Sequence, residues 1–176
     1  MYNFKTKDTA SLYFNALQIM QDLLAFHLND AQPEALLDAD LKRLDFVNQH
    51  GVFTNKEKLY ENALLNIETK YSNSAASAQA TYLRAQMLVA SAEKYNPLLN
   101  KENQFDLVKA KQICEAAYVK FPKSEGGINC KNLITQIEKP SLHFDVEKVN
   151  LPAKPFRALV TFKNIGKVYF RIVQTN

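Results

Sequence analysis

The segments KYSNS at residues 70–74 and KFPKS at residues 120–124 match in register at an offset of 50. Lys70, Tyr71 and Ser74 align with Lys120, Phe121 and Ser124, and the flanks match as well. At the same offset Leu64 meets Cys114, Ile67 meets Ala117, Ala80 meets Cys130, Leu83 meets Leu133 and Met87 meets Ile137, so each inward position broadly keeps its size and polarity. Self-similarity at a fixed offset across a helix, a turn and a helix is the mark of an internal helical repeat.

Working outward from these turns, apolar spacing predicts six helices in three hairpins over residues 1–140. In the first, Tyr13, Ala16, Leu17, Met20, Leu23, Leu24 and His27 fall at helical spacing, and Leu12, Ile19 and Phe26 form a second stripe. Two stripes imply a helix buried on more than one side. A second helix is expected from Pro33, a good first-turn residue, to Gly51, a natural C-terminal cap, with Leu37, Leu41, Leu44 and Val47 inward. Thr54 and Glu57 have capping-box spacing for a third, whose inward face is Tyr60, Ala63, Leu64, Ile67 and Tyr71. Asn73 or Ser74 caps a fourth carrying Ala78, Tyr82, Ala85, Val89 and Ala92, which Pro97 stops. A fifth presents Leu107, Ala110, Ile113, Cys114 and Ala117, and a sixth Cys130, Leu133, Ile134 and Ile137 before Pro140.

The repeat pattern is an aromatic residue, Pro or Ser, one further residue, Ser, then small residues every three or four. It resembles the tetratricopeptide repeat over roughly residues 57–138. That likeness implies an aromatic closing the first helix of each pair and small residues letting the second pack closely. The offset of 50 departs from the family's period of about 34 because the fourth helix is long and the loop NPLLNKENQ follows it, so the repeats are degenerate.

The remaining residues change period. Leu142, Phe144 and Val146 alternate with polar residues; so do Phe156, Ala158, Val160 and Phe162, and again Val168, Phe170 and Ile172. Period two predicts three strands. Pro152 and Pro155 fall in the first connection, where a missing N–H costs little, and Gly166 in the second suits a tight hairpin. The expected fold is thus mainly α, a tetratricopeptide-like helical-hairpin repeat over residues 1–140, with a short antiparallel β segment at 141–176. Both faces of that segment carry apolar residues, Leu159, Tyr169 and Val173 lying opposite the rest, so the sheet reads as cut short.

The net charge of +4 belongs to the strand segment, where Lys148, Lys154, Arg157, Lys163, Lys167 and Arg171 face only Asp145 and Glu147. These cations stand singly among alternating apolar residues, the pattern of a sheet's wet face, whereas nucleic-acid readers cluster them along a helix or groove; no nucleic-acid partner is expected. No run of about 18 apolar residues exists, so no helical membrane insertion is expected. The first residues, MYNFKTKDTA, lack the apolar core of a signal peptide.

No catalytic, cofactor-binding or metal-binding residue is expected. His27, His50 and His143 are far apart, with no second ligand or carboxylate at a useful spacing. Gly126 and Gly127 fit neither phosphate-loop pattern and suit close helix packing. Cys114 and Cys130 lie almost symmetrically about the turn at Pro122 and Lys123, at similar height on antiparallel helices. Two readings stay open for them: a disulfide closing a loop of roughly 15 residues, or two small apolar side chains packed with free thiols.

The tail carries one further resemblance. The stretch PSLHFDVEKVNLPAKPFRALVTFKNIGKVYFRI, through its strand, its proline connection and Lys163, Asn164, Tyr169, Arg171 and Ile172, is similar to the opening of the first macroglobulin-type β-sandwich in bacterial alpha-2-macroglobulin-like proteins of the Bacteroidetes. In those proteins a helical region with a KFPKSEG-like turn precedes it. The resemblance implies an N-terminal, non-catalytic structural and protein-interaction module of an envelope-located protein. Its implied partners are the downstream domains of the same polypeptide and, through the full-length protein, proteases. The thioester Cys-Gly-Glu-Gln of some family members is absent, since Glu115 and Ala116 follow Cys114. The competing expectation is a free-standing tetratricopeptide-like adaptor for a peptide or protein.

Overall fold

The computed structural model describes residues 6–8, 10–96, 98, 99, 101–147, 149, 151, 154–171 and 173. Among them run six helices, α1 (Leu12–His27), α2 (Glu34–His50), α3 (Lys56–Lys70), α4 (Ser77–Ala92), α5 (Asp106–Lys120) and α6 (Glu125–Glu138), then strands β1 (Ser141–Val146) and β2 (Ala158–Lys163). The fold is mainly helical with a short two-stranded antiparallel sheet. It divides into two units, one up to Ile134 and one from Thr135 onward.

In the first unit each helix from α1 to α4 packs on the next in sequence. The principal core gathers Leu37, Leu41, Tyr60, Leu64, Ile67 and Ala80, with Leu44, Tyr71, Leu83 and Met87 packed against it. Leu37 and Leu64 are fully buried, each contributing about 2 kcal/mol by removal from water. Helix α4 lies at the centre, and only Gln86 and Ala90 along it are exposed. Its many alanines let neighbours approach: a Cβ added at Gly126 in α6 would stand 2.1 Å from the Gln79 backbone nitrogen. The first turn of α6 therefore lies directly on the backbone of α4, which requires glycine there.

The backbone bonds that close the first helix of each repeat and form its turn are kept. The amide of Tyr71 donates to Ile67 and that of Phe121 to Ala117, each at 2.9 Å; Ser74 then donates to Tyr71 and Ser124 to Phe121. Lys70 lies over the Tyr71 ring and Lys120 over the Phe121 ring, at 5.1 and 5.4 Å. The buried partners Leu64 and Cys114, Ile67 and Ala117, and Ala80 and Cys130 correspond as aligned.

Several local expectations are corrected. Helix α1 is not buried on two sides: only Leu24 is buried, and Leu12, Ile19 and Phe26 remain 82, 69 and 77% exposed. As the first helix of the row it packs on α2, which covers one stripe. The Thr54–Glu57 capping box does not form, because Asn55 occupies the N-cap in the left-handed region (φ 61°) and α3 starts at Lys56. Neither Asn73 nor Ser74 caps α4, whose N-cap is Ala76. Ser74 instead accepts the Ala76 amide at 3.3 Å and holds the preceding turn. Pro33 is the N-cap of α2 and not its first helical residue, and Gly51 closes that helix in extended conformation. Pro97 lies outside the described residues.

In the second unit β1 and β2 pair antiparallel, placing Leu142 opposite Phe162, Phe144 opposite Val160 and Val146 opposite Ala158. The two period-two patterns thus merge into one apolar face, as the alternation of strand side chains requires. Among the described residues the expected third strand is not seen: residues 167–171 and 173 have no regular structure, and Ile172 and Pro152 lie outside the described residues. Asn164, not Gly166, adopts the left-handed conformation (φ 54°), and its side-chain amide donates to the carbonyls of Ile137 at 2.7 Å and Lys139 at 3.4 Å. The side chain of the residue after β2 thus satisfies carbonyls at the end of α6. Phe170 returns only through its ring, 6.1 Å from that of Phe144.

Candidate functional site

The densest group of polar and reactive side chains inside the helical unit lies where α3, α4, α5 and α6 meet. Tyr82, whose phenol is pushed up by burial and then by the nearby Cys130 and Cys114, stands at this junction. Cys114 from α5 and Cys130 from α6 are both fully buried and free, and each thiol shifts the titration of the other. The hydrogen bond to Cys114, reinforced by burial, holds the Cys130 thiol far above its ordinary value. The same bond draws the Cys114 thiol down, against burial and the carboxylate of Glu68. The sequence left the pair open between disulfide and packed thiols; in the structure both are free, fully buried thiols of the last hairpin.

Glu68 on α3 pairs with Arg84 on α4, with side chains 17 and 18% exposed. Burial nevertheless raises the Glu68 carboxyl, outweighing the opposing pull of Arg84 and a hydrogen bond from Thr81. Its second oxygen, Oε1, is buried without a hydrogen-bond partner, so desolvation prevails because only half of the carboxylate is satisfied. Beside it opens a cleft of about 260 Å³, bounded by Glu68, Ser77, Thr81, Ala116, Lys120 and Phe121. A second cleft of about 370 Å³ is formed by Asn48, Glu57, Glu61, Met87, Ser91 and Lys94. There Asn48 Oδ1 is likewise buried and unpartnered.

The histidines are not brought together, but two do have carboxylates. His27 Nδ1 lies 2.7 Å from Asp30, and His143 Nε2 lies 3.1 Å from Asp145. Sequence reading overlooked both pairs, although i to i+3 at a helix end and i to i+2 on a strand each put two side chains on one side. Both are open to solvent on at least one partner and point into neither cleft described above. His50 stacks with Tyr13 and Phe46 at 4.8 and 4.6 Å. Among the described residues no three His, Cys, Asp or Glu side chains form a metal-binding group, and no helix is long and apolar enough to cross a membrane.

The sheet is the other candidate surface. Leu142, Phe144, Phe162 and Phe170 are each about half exposed or more, on a sheet of only two strands. Fold and surfaces together define a mainly helical repeat scaffold with an exposed apolar sheet appended. No protein-family model, curated protein or solved structure matches this chain.

Proposed function

We propose that this chain is a non-catalytic structural and protein-interaction module. The observation that carries the reading is the half-exposed apolar face of the β1–β2 pair, with Leu142 against Phe162 and Phe144 against Val160. Two strands seldom hold together in water alone, and an apolar face with open edges is stabilised by further strands or a packed partner. The sequence resemblance of residues 140–172 to alpha-2-macroglobulin-like proteins supports a more particular form of this proposal. In it the module stands at the N-terminus of a bacterial envelope protein of that kind, involved in protease trapping or surface association, and its sheet is completed by the same polypeptide.

Expressing the chain with the next 60–80 residues or so of its coding sequence, enough for a domain of ordinary size, tests this. Completion of the sheet raises the melting temperature and lowers self-association relative to the 176-residue chain. Equal stability and a strictly monomeric state for both would count against the reading.

The unpartnered Asn48 Oδ1 beside the larger cleft favours a second reading, a free-standing adaptor that binds a peptide between α2, α3 and α4. A stop codon directly after Asn176, together with peptide-induced NMR shifts confined to Asn48, Glu61 and Ser91, would establish it over the first.

A further inference from the structure

The two repeats solve the same packing problem with different chemistry. At the crossing of the first hairpin the paired positions are Leu64 and Ala80, both fully buried. In the second repeat the equivalent positions are Cys114 and Cys130, also fully buried and both free, on the two helices joined by the Phe121–Ser124 turn. Leu and Ala show that an apolar filling suffices for the core at this crossing. Two sulfurs in that place, from helices joined by a short turn, add a capacity the first repeat lacks.

We propose that Cys114 and Cys130 are a modification site: an α5–α6 disulfide that forms while the chain folds and is then sealed inside the hairpin. The oxidant is a disulfide of the glutathione or protein dithiol class. The thiolate of one cysteine attacks a sulfur of the oxidant, forming a mixed disulfide and releasing one oxidant thiolate. The second cysteine, deprotonated, then attacks the protein sulfur of that mixed disulfide, closing the Cys114–Cys130 bond and releasing the second oxidant thiolate. Two cysteine thiols lose two protons and two electrons, and the oxidant's disulfide becomes two thiols. The exchange belongs to folding because in the finished unit neither sulfur is exposed. Once closed, the bond restricts a loop of roughly 15 residues in the unfolded chain and stabilises the hairpin.

The unmodified protein is unfolded in guanidinium chloride and refolded in parallel in a reduced–oxidised glutathione buffer and in dithiothreitol. The expected product of the first is a monomer lighter by about 2 Da, without titratable thiols under denaturant. It should melt about 5–10 °C above the reduced protein. Refolding Cys130→Ser in the same glutathione buffer should leave one thiol or one glutathione adduct and no gain in melting temperature. Persistence of two thiols in the wild-type protein, retained glutathione adducts or disulfide-linked dimers would overturn the proposal. So would an oxidised monomer that melts no higher than the reduced one.

Discussion

Asn129 of α6 donates its side-chain amide to Gln79 of α4 at 3.0 Å, and the two residues occupy the same position in successive repeats, separated by 50 in sequence. The repeats are thus joined through a pair of like positions, one amide reading the other. Removing either amide should cost about 1 kcal/mol, since the bond is part-buried and neutral. In a double-mutant cycle of Gln79→Ala and Asn129→Ala measured by urea denaturation, a coupling of about 0.5–1.5 kcal/mol is expected. Strict additivity would show that the contact does not join the repeats energetically.

The contact of α6 with α4 predicts a sharp contrast between two glycines. Gly126→Ala should destabilise by about 3 kcal/mol or more, because the new Cβ meets the backbone of Ala78 and Gln79, which cannot rotate aside. The helix propensity gained by alanine, about 1 kcal/mol, is too small to offset this. Gly166→Ala, with no atom near its added carbon, should change stability by less than about 0.5 kcal/mol. Thermal melts of both variants decide the matter.

Glu68 and Arg84 should respond asymmetrically. Arg84→Met strands a largely buried carboxylate and is expected to cost about 2–4 kcal/mol at neutral pH. Glu68→Gln should be nearly neutral or slightly stabilising, because burial already outweighs the attraction of Arg84 in setting the Glu68 carboxyl. That carboxyl is raised in the folded state, so its contribution is complete below the unfolded value and is lost as pH rises through the folded one. Wild-type stability should therefore fall across the weakly acidic range relative to Glu68→Gln, as shown by melts from pH 4 to pH 7 or so.

Tyr60 supplies an alkaline counterpart. Burial, aided by Asp45, pushes its phenol from 10.0 up to about 12. The unfolded chain ionises first, so the stabilisation is intact below pH 10 and is lost between there and about pH 12. The loss attributable to this residue approaches about 3 kcal/mol at the upper end. Tyr60→Phe should flatten this part of the pH profile, and a profile unchanged by the substitution would refute the assignment.

The sequence by itself determined the repeat and the kinds of element. The match of KYSNS with KFPKS placed α3 and α5 in register, because backbone-directed turn chemistry and the size of inward residues are local properties that a chain carries openly. The period-two runs at Leu142–Val146 and Phe156–Phe162 likewise announced two strands, although β2 begins only at Ala158. The tertiary structure decided what depends on neighbours. Whether the stripe Leu12–Ile19–Phe26 is buried depends on how many helices lie beside α1. Whether Thr54 caps α3 depends on Asn55 turning the chain first. Asn164 gives its side-chain amide to the carbonyls of Ile137 and Lys139, bonds across more than twenty residues that no local pattern announces. Symmetry about a turn suggested that Cys114 and Cys130 are close, but their complete burial follows only from the packing of α4 against α5.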